Sequence, residues 1–323
     1  MADGAAAVIT SKSSRHGLHA ILQVRELPAL VFLFLLVAGI WATAPNFGSS
    51  TNLLAIAQDM AIVGVMGVGM TMVILTAGID LSVASILAFS AAVMAMLMVG
   101  GTHIWLSVLA ALAVGTACGM GNAILVTWLR IPPIITTLGT MGILRAGVTL
   151  YTGAKWIGPL PQSFQFVGTG WTPVVLLAVV TVAFTLFLSQ VRLGRYVHAV
   201  GGNEEAVRLS GIRVNKVKFA VYALNGLLAA VSGLILASSM SSAQSNMAMG
   251  YELSVIAAVV IGGTSITGGK GSVPGTIAGA AIMSVLYSAL ILLGVSKYWH
   301  KLIIGGVILA AVLFDRLRYV RER

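Results

Sequence analysis

Charge is what this chain of 323 residues is short of: Asp, Glu, Lys and Arg make up 9% of it, against about 25% in a soluble domain. With 58% apolar residues, a water-soluble fold would have to expose more contiguous apolar surface than water tolerates. Cysteine occurs once, at Cys118, which excludes an intramolecular disulfide and reads as a small core residue. Aromatic residues are few, at 7%, and no basic stripe with interleaved aromatics exists, so the net charge of +10 is not the footprint of a nucleic-acid partner. The five histidines, His16, His19, His103, His198 and His300, lie at span ends or in hydrophilic segments. None has a second ligand type at metal spacing, so neither metal nor cofactor is expected. No nucleophile–base pair is visible, which argues against an enzyme. Thr264–Gly271 imitates a phosphate loop but has Thr264 for the first Gly and Gly271 for the Ser or Thr after Lys270. A nucleotide site therefore fails, and any ATP dependence has to come from a partner.

What is there instead is long apolar runs. A membrane span needs about 20 apolar residues, and such runs cover 27–44, 53–77, 83–99, 104–129, 133–153, 173–191, 219–240, 252–266, 274–294 and 300–314. Gly and polar residues interrupt the second and the eighth. The runs are continuous rather than alternating, which excludes a β-barrel. The expected class is an all-α polytopic membrane protein of about 10 transmembrane helices. Residues 1–26 form an N-terminal tail, 27–314 the transmembrane domain, and 315–323 a C-terminal tail. The first apolar run is longer than the core of a signal peptide, which argues against cleavage there.

Basic residues orient the spans. With the N-terminus inside, Lys12, Arg15, Arg25, Arg130, Arg192, Arg195, Arg208, Arg213, Lys216, Lys218, Lys270, Arg316, Arg318, Arg321 and Arg323 fall on the inner side, 15 of the 19 Lys and Arg. Lys155, Lys297 and Lys301 fall outside and Arg145 lies within a span. One span more or fewer would scramble this asymmetry, so both termini are expected to be cytoplasmic.

Residues 192–218 are a polar island between two apolar runs, holding six of the 19 Lys and Arg together with Glu204 and Glu205. Hydrocarbon does not accept such a segment, so it belongs in water. Asn203 can cap a short helix whose dipole the two Glu complement, with Ala206, Arg208, Leu209 and Ser210 along it and Gly211 ending it. Gly194, Gly201 and Gly202 are read as sites of tight backbone turns. At about two turns the helix is too short to be stable alone and needs a docking groove; the plainer reading is an ordinary surface loop.

Val73–Ser82 and Val260–Gly271 echo one another, each a span breaking into a polar turn before an apolar run. Paired interruptions of this kind mark the pathway in repeat-built transporters. Asp59 and Arg145 are charges inside spans, a cost of about 2.5–3.5 kcal/mol each at the bilayer centre. Each is either a pore-lining or ion-paired group or a structural charge, the latter for Arg145 through backbone carbonyls at a helix break. Asp80 can cap the third helix or touch substrate. Gln244 and Glu252 lie in a polar outer segment, which either contacts an entering ligand or a delivery protein, or is merely solvated. Gly115-x-x-x-Gly119 and Gly275-x-x-x-Gly279 are close-packing signatures, serving either packing within the chain or a dimer seam. On these residues alone an ion-coupled secondary transporter, with Asp59, Asp80 or Arg145 in its coupling site, is the competing function.

Glu205-Ala206-Val207-x-x-x-Gly211 resembles the cytoplasmic coupling loop of ABC importer permeases. The wider string Arg192-Leu193-Gly194-Arg195-Tyr196 through Gly201-Gly202-Asn203-Glu204 to Leu209-Ser210-Gly211-Ile212 is similar to the ribose-type monosaccharide permeases. So are Gly69-Met70-Thr71, Gly78-Ile79-Asp80-Leu81-Ser82, Ser241-Ser242-Ala243-Gln244, Gly250-Tyr251-Glu252-Leu253 and Gly268-Gly269-Lys270-Gly271. The resemblance runs from about residue 30 to residue 315, while the outer loop 154–172 looks shorter than in the ribose permease. It implies a multi-pass subunit of the bacterial inner membrane. Two such permeases, alike or similar, would form the pore, a cytoplasmic ATPase would grip the 201–211 segment, and a periplasmic binding protein would deliver a monosaccharide.

Overall fold

The computed structural model describes residues 26–296, 298–300, 302–307, 309–310 and 313. The tails at 1–25 and 314–323, with their Lys and Arg and with His16 and His19, lie outside the described residues, as does part of the expected tenth span. The described chain is helical; its β-structure is one isolated antiparallel bridge between Ile157 and Ala243. In order the helices are α1 (Leu27–Thr43), α2 (Ser50–Leu75), α3 (Val83–Val99), α4 (Ile104–Thr127), α5 (Pro133–Thr152), α6 (Gln162–Gln165), α7 (Thr172–Gln190), α8 (Arg192–Gly202), α9 (Glu204–Leu209), α10 (Val214–Met240), α11 (Tyr251–Ile261) and α12 (Val273–Leu292). Residues 298–300 and 302–307 are helical as well.

Six of these, α2, α4, α5, α7, α10 and α12, are long and apolar enough to cross a membrane. α2 with 26 residues and α10 with 27 rise about 39 and 40 Å, more than the ~30 Å hydrocarbon core. α11 has 11 residues and rises only about 16 Å. The expected eighth span, 252–266, is therefore not one spanning helix. Gly263, Gly268 and Gly269 all take left-handed φ, and the chain runs through turns from Gly262 to Ser272 before α12 begins. The same happens between α2 and α3, where Thr76, Asp80 and Ser82 are buried in a non-helical stretch.

The core is a long-helix frame. α10 packs on α4, α2 and α3, and α12 on α2, α11 and α1. The α4–α10 seam is a backbone contact: a Cβ on Gly119 would sit 2.2 Å from the Tyr222 carbonyl oxygen, and one on Gly226 would sit 2.2 Å from that of Gly115. Gly275 and Gly279 face the Gly262 and Ala258 carbonyls in the same way. Both close-packing signatures are thus used within the chain. With hydrocarbon as solvent, such close approach supplies the dispersion contact that holds helices together. α5 and α7 are far less buried than α2, α10 and α12.

Candidate functional site: the α8–α9 segment and the broken helices behind it

The polar island folds as two short helices and the first turn of a third. α8 is amphipathic: Gly194, Val197 and Val200 are buried, while Arg192 and Arg195 are exposed. Asn203 breaks the run in an extended conformation, and its side chain accepts the Ala206 N–H at 3.0 Å, capping α9. Glu204 and Glu205 occupy the first turn of α9 and Arg208 the last, where each complements the helix dipole. Ser210 Oγ donates to the Ala206 carbonyl at 2.9 Å. Gly211 ends the helix at φ 81°, and Ile212 N–H returns to the Val207 carbonyl.

With six residues, α9 cannot hold itself. Val207 is its buried anchor, and Glu204 ties it across to α10 through Lys218 Nζ at 2.7 Å, with Arg208 Nη2 at 2.8 Å on the same carboxylate. The hydrogen bond from Lys218, helped by the two positive charges, holds the Glu204 carboxyl below its ordinary range despite partial burial. What remains outward is Glu205, Ala206, Arg208 and Leu209, the last with 81% of its surface exposed. Leu209 thus leaves a large apolar side chain uncovered beside charged residues on the outward face of α9.

Gly201 and Gly202 are not turn residues, contrary to the expectation for them, and neither is Gly194; all three lie within α8. Gly194 and Gly201 are glycine because other backbone is in the way. A Cβ on Gly194 would meet the Phe187 carbonyl oxygen at 2.2 Å. One on Gly201 would meet the Leu75 carbonyl oxygen at 1.7 Å and the Gly269 nitrogen at 2.4 Å. Gly269 N–H itself donates to Leu75 O at 3.0 Å, and His198 Nδ1 lies 3.4 Å from the Gly269 carbonyl. The C-terminus of α2, the break after α11 and the end of α8 thus meet at one point. The two echoing segments of the sequence, 73–82 and 260–271, are brought together there.

Behind this junction the interior acids have separate partner sets. Asp80, fully buried, accepts Ser82 N–H at 2.8 Å and Ser82 Oγ–H at 2.6 Å on Oδ1, and Asn225 Nδ2 at 2.8 Å on Oδ2. Asn122 Nδ2 donates to Ser82 Oγ at 2.8 Å and lies 3.5 Å from Asp80 Oδ2. The N-cap of α3 is Ser82, without a side-chain cap. Asp80 does not cap α3; it joins the α2–α3 break to α4 and α10. Asp59 sits 9 residues after Ser50, the first residue of α2, hence about 13.5 Å along it. It accepts from Tyr251 Oη at 3.2 Å and Ser284 Oγ at 2.7 Å. Arg145 donates to the Met247 carbonyl at 2.6 Å and lies 3.5 Å from that of Ser245, pinning the segment that enters α11. Glu252 accepts the Gly250 N–H at 3.2 Å, and Gln244 is half-buried in the same segment. Asp59, Asp80 and Arg145 are therefore not gathered into one pocket. Asn122, Asn225, Tyr251 and Ser284 carry these networks, and sequence reasoning missed them; a lone amide in an apolar run was the only available signal.

A cavity of about 830 Å³ opens beside α9, between the α4–α5 turn and the start of α10. Among the described residues no group of three His, Cys, Asp or Glu is placed to hold a metal.

Comparison with known proteins adds the lineage. Residues 52–312 match the family model described as the permease component of the branched-chain amino acid transport system. The chain is 44% identical over 299 residues to the ribose import permease protein RbsC of Escherichia coli K12, covering 90% of this chain and 93% of that one. It is 40% identical over 300 residues to RbsC of Bacillus subtilis 168, covering 91% and 93%. It is 37% identical over 309 residues to the autoinducer 2 import system permease protein LsrC of Yersinia enterocolitica, covering 93% and 85%. No solved structure matches.

Proposed function

We propose, from the premise that this chain belongs to the branched-chain amino acid transport system permease component family and there to the ribose-type permeases, that it is the pore-forming subunit of an ABC sugar importer. It is a multi-pass protein of the bacterial inner membrane and carries no hydrolytic site of its own. Its cargo is a monosaccharide, a pentose or hexose of the ribose kind, delivered by a periplasmic binding protein. A separate cytoplasmic ATPase supplies the energy, and a second permease copy, identical or similar, completes the pore. Ten membrane crossings, the one at 252–266 made by the short α11 together with the non-helical segments on either side of it, with both termini in the cytoplasm, tails at 1–26 and 315–323 and a transmembrane domain at 27–314, are the account we favour for the basic-residue asymmetry.

One observation carries the mechanism: the end of α8 is wedged at Gly201 against both broken segments. Gly201, Gly202, Asn203, Glu204, Glu205, Ala206, Arg208, Leu209, Ser210 and Gly211 form the coupling unit. A force applied by the ATPase to the exposed face of α9 passes through α8 to the C-terminus of α2 and to the 262–272 turn. The first of these leads directly to Asp80 in the α2–α3 break, so a shift of α8 re-aims both breaks. Asp59, Asp80, Arg145, Gln244 and Glu252 shape the pathway, Arg145 by holding the entry segment through Met247. Tight binding of the sugar by the pore is not required when another protein delivers it.

Two variants on the outward face test this, Glu205→Arg and Ala206→Trp, each assayed for sugar uptake, membrane insertion and retention of the ATPase on purification. Insertion is expected to be normal while uptake and retention of the ATPase are lost. Normal uptake in both variants would remove the coupling role from α9.

A further inference from the structure

The cavity beside α9 has a charge imbalance, most of which lies outside the coupling unit. Five cations line it, Arg130, Arg208, Arg213, Lys216 and Lys218, against one carboxylate, Glu204. That carboxylate is already bonded to Arg208 and Lys218. Arg130, Arg213 and Lys216 have no carboxylate partner among the described residues, and all three side chains are exposed. Arg130 is held in the left-handed region at φ 57°, a conformation a non-glycine residue keeps only where its surroundings enforce it. Like charges gathered without a counter-ion repel one another. Their natural complement is an anion with several acceptor oxygens.

The rim of the cavity is apolar. Trp128 lines it with 57% of its surface exposed and stacks at a tilt on Phe219, ring centroids 5.4 Å apart. Ile131, Pro132 and Ile212 line it as well, and Leu129, Ile134 and Ile135, next in sequence to that lining, are exposed. Trp at such a boundary is the usual marker of the headgroup level of a bilayer. The volume lies within the roughly 300–1,000 Å³ typical of small-molecule sites. A charged floor with an apolar lip fits an amphiphile, whereas a free inorganic ion would use only the floor.

We propose that this cavity binds the phosphate group of an anionic phospholipid of the cytoplasmic leaflet, with Arg130, Arg213 and Lys216 on the phosphate and the acyl chains along Trp128 and Ile131. The leaflet assignment rests on the cytoplasmic reading of α9 given above. The lipid would fill the space between the α4–α5 turn and the α9–α10 corner, so it braces the segment the ATPase pushes. Juxtamembrane Lys and Arg attract anionic lipid individually, and here the fold concentrates them in one concave site.

The test uses the purified, delipidated full chain, with phosphatidylglycerol or phosphatidylcholine added back and retained lipid read by native mass spectrometry. Wild type is expected to prefer phosphatidylglycerol. The double variant Arg130→Gln, Lys216→Gln is expected to weaken that lipid by about twenty- to thirtyfold, and the charge-conserving Arg130→Lys, Lys216→Arg to restore it. Thermal unfolding in phosphatidylcholine, unchanged between wild type and both variants, guards against a folding defect. Equal retention of both lipids, or a preference the neutral variant keeps, overturns the proposal. Displacement of phosphatidylglycerol by low inorganic phosphate would make the site one for free phosphate and overturn it as well. Loss of ATPase association with lipid preference intact would assign the cavity to the protein interface instead. Retention in detergent needs neither sidedness nor an ATPase, so its failure is distinguishable from a failure of the coupling reading.

Discussion

The α-carbon of Gly201 lies against the carbonyl oxygen of Leu75 so closely that a methyl group there would stand 1.7 Å from that oxygen. One residue on, Gly202 has nothing within 4 Å of where its Cβ would be. Two adjacent glycines, alike in sequence, therefore carry opposite consequences.

Gly201→Ala is expected to push α8 away from the α2 terminus, or to break the Gly269 N–H to Leu75 O bond. Overpacking of this kind costs about 1–3 kcal/mol. Uptake should fall by tenfold or more, with the chain still inserted. Gly202→Ala should transport like wild type. Parallel uptake assays on membrane vesicles, with thermal unfolding in detergent, check both. Equal tolerance of the two would show that the wedge at Gly201 transmits nothing.

Asp80 is the acceptor on which the α2–α3 break, α4 and α10 converge. Asp80→Ala leaves buried donors of Ser82 and Asn225 without their acceptor, each worth about 1–3 kcal/mol, so a substantial fall in thermal stability is expected. Asp80→Asn keeps an oxygen for Ser82. Asn225 can then turn its amide to accept, since its Oδ1 has no partner among the described residues. That variant should lie within about 1 kcal/mol of wild type. An Asp80→Asn chain as unstable as Asp80→Ala would mean that the charge, not the acceptor geometry, is what the site requires.

The Glu204 carboxyl is held below its ordinary value by Lys218 first and Arg208 second. Its folded pKa is thus lower than its unfolded one. The stabilisation is fully present above the ordinary glutamate range and is lost as pH falls through the depressed folded value. The α9–α10 clamp should therefore be insensitive to pH around neutrality and release only in acid. Lys218→Ala is expected to move that release toward neutral pH, followed by the carboxyl resonance of Glu204 in a selectively labelled chain. Both charges are partly exposed, so raised salt should shrink the effect. An unchanged titration in Lys218→Ala would remove the clamp.

Most of the helix list was legible. Spans expected at 27–44, 83–99, 104–129 and 133–153 are α1, α3, α4 and α5 to within two residues, because hydrocarbon forces continuous apolar runs into helices that satisfy their own backbone. Residues 214–218, assigned to the polar island, are instead the first turn of α10. Their Asn and Lys side chains hide a helix whose stability comes from Val214 and Val217 buried beneath them. The cap at Asn203 and the stop at Gly211 were readable, since both act within a few residues of themselves. The partners of Asp80 were not: Asn225 is 145 positions away, and no local pattern links an amide to a carboxylate at that separation.

The sequence by itself determined that this chain lives in a membrane, where most of its helices run, and which short segment is too polar for hydrocarbon, because each of these follows from the cost of placing a charge or an unpaired backbone group in hydrocarbon. Tertiary structure decided what that segment touches. Gly194 and Gly201 became contact points rather than turns, α11 stopped half-way, and two distant polar breaks met behind α8. Those outcomes depend on which backbones can approach within a few ångströms, a property of packed pairs that one strand of residues, read along its length, does not contain.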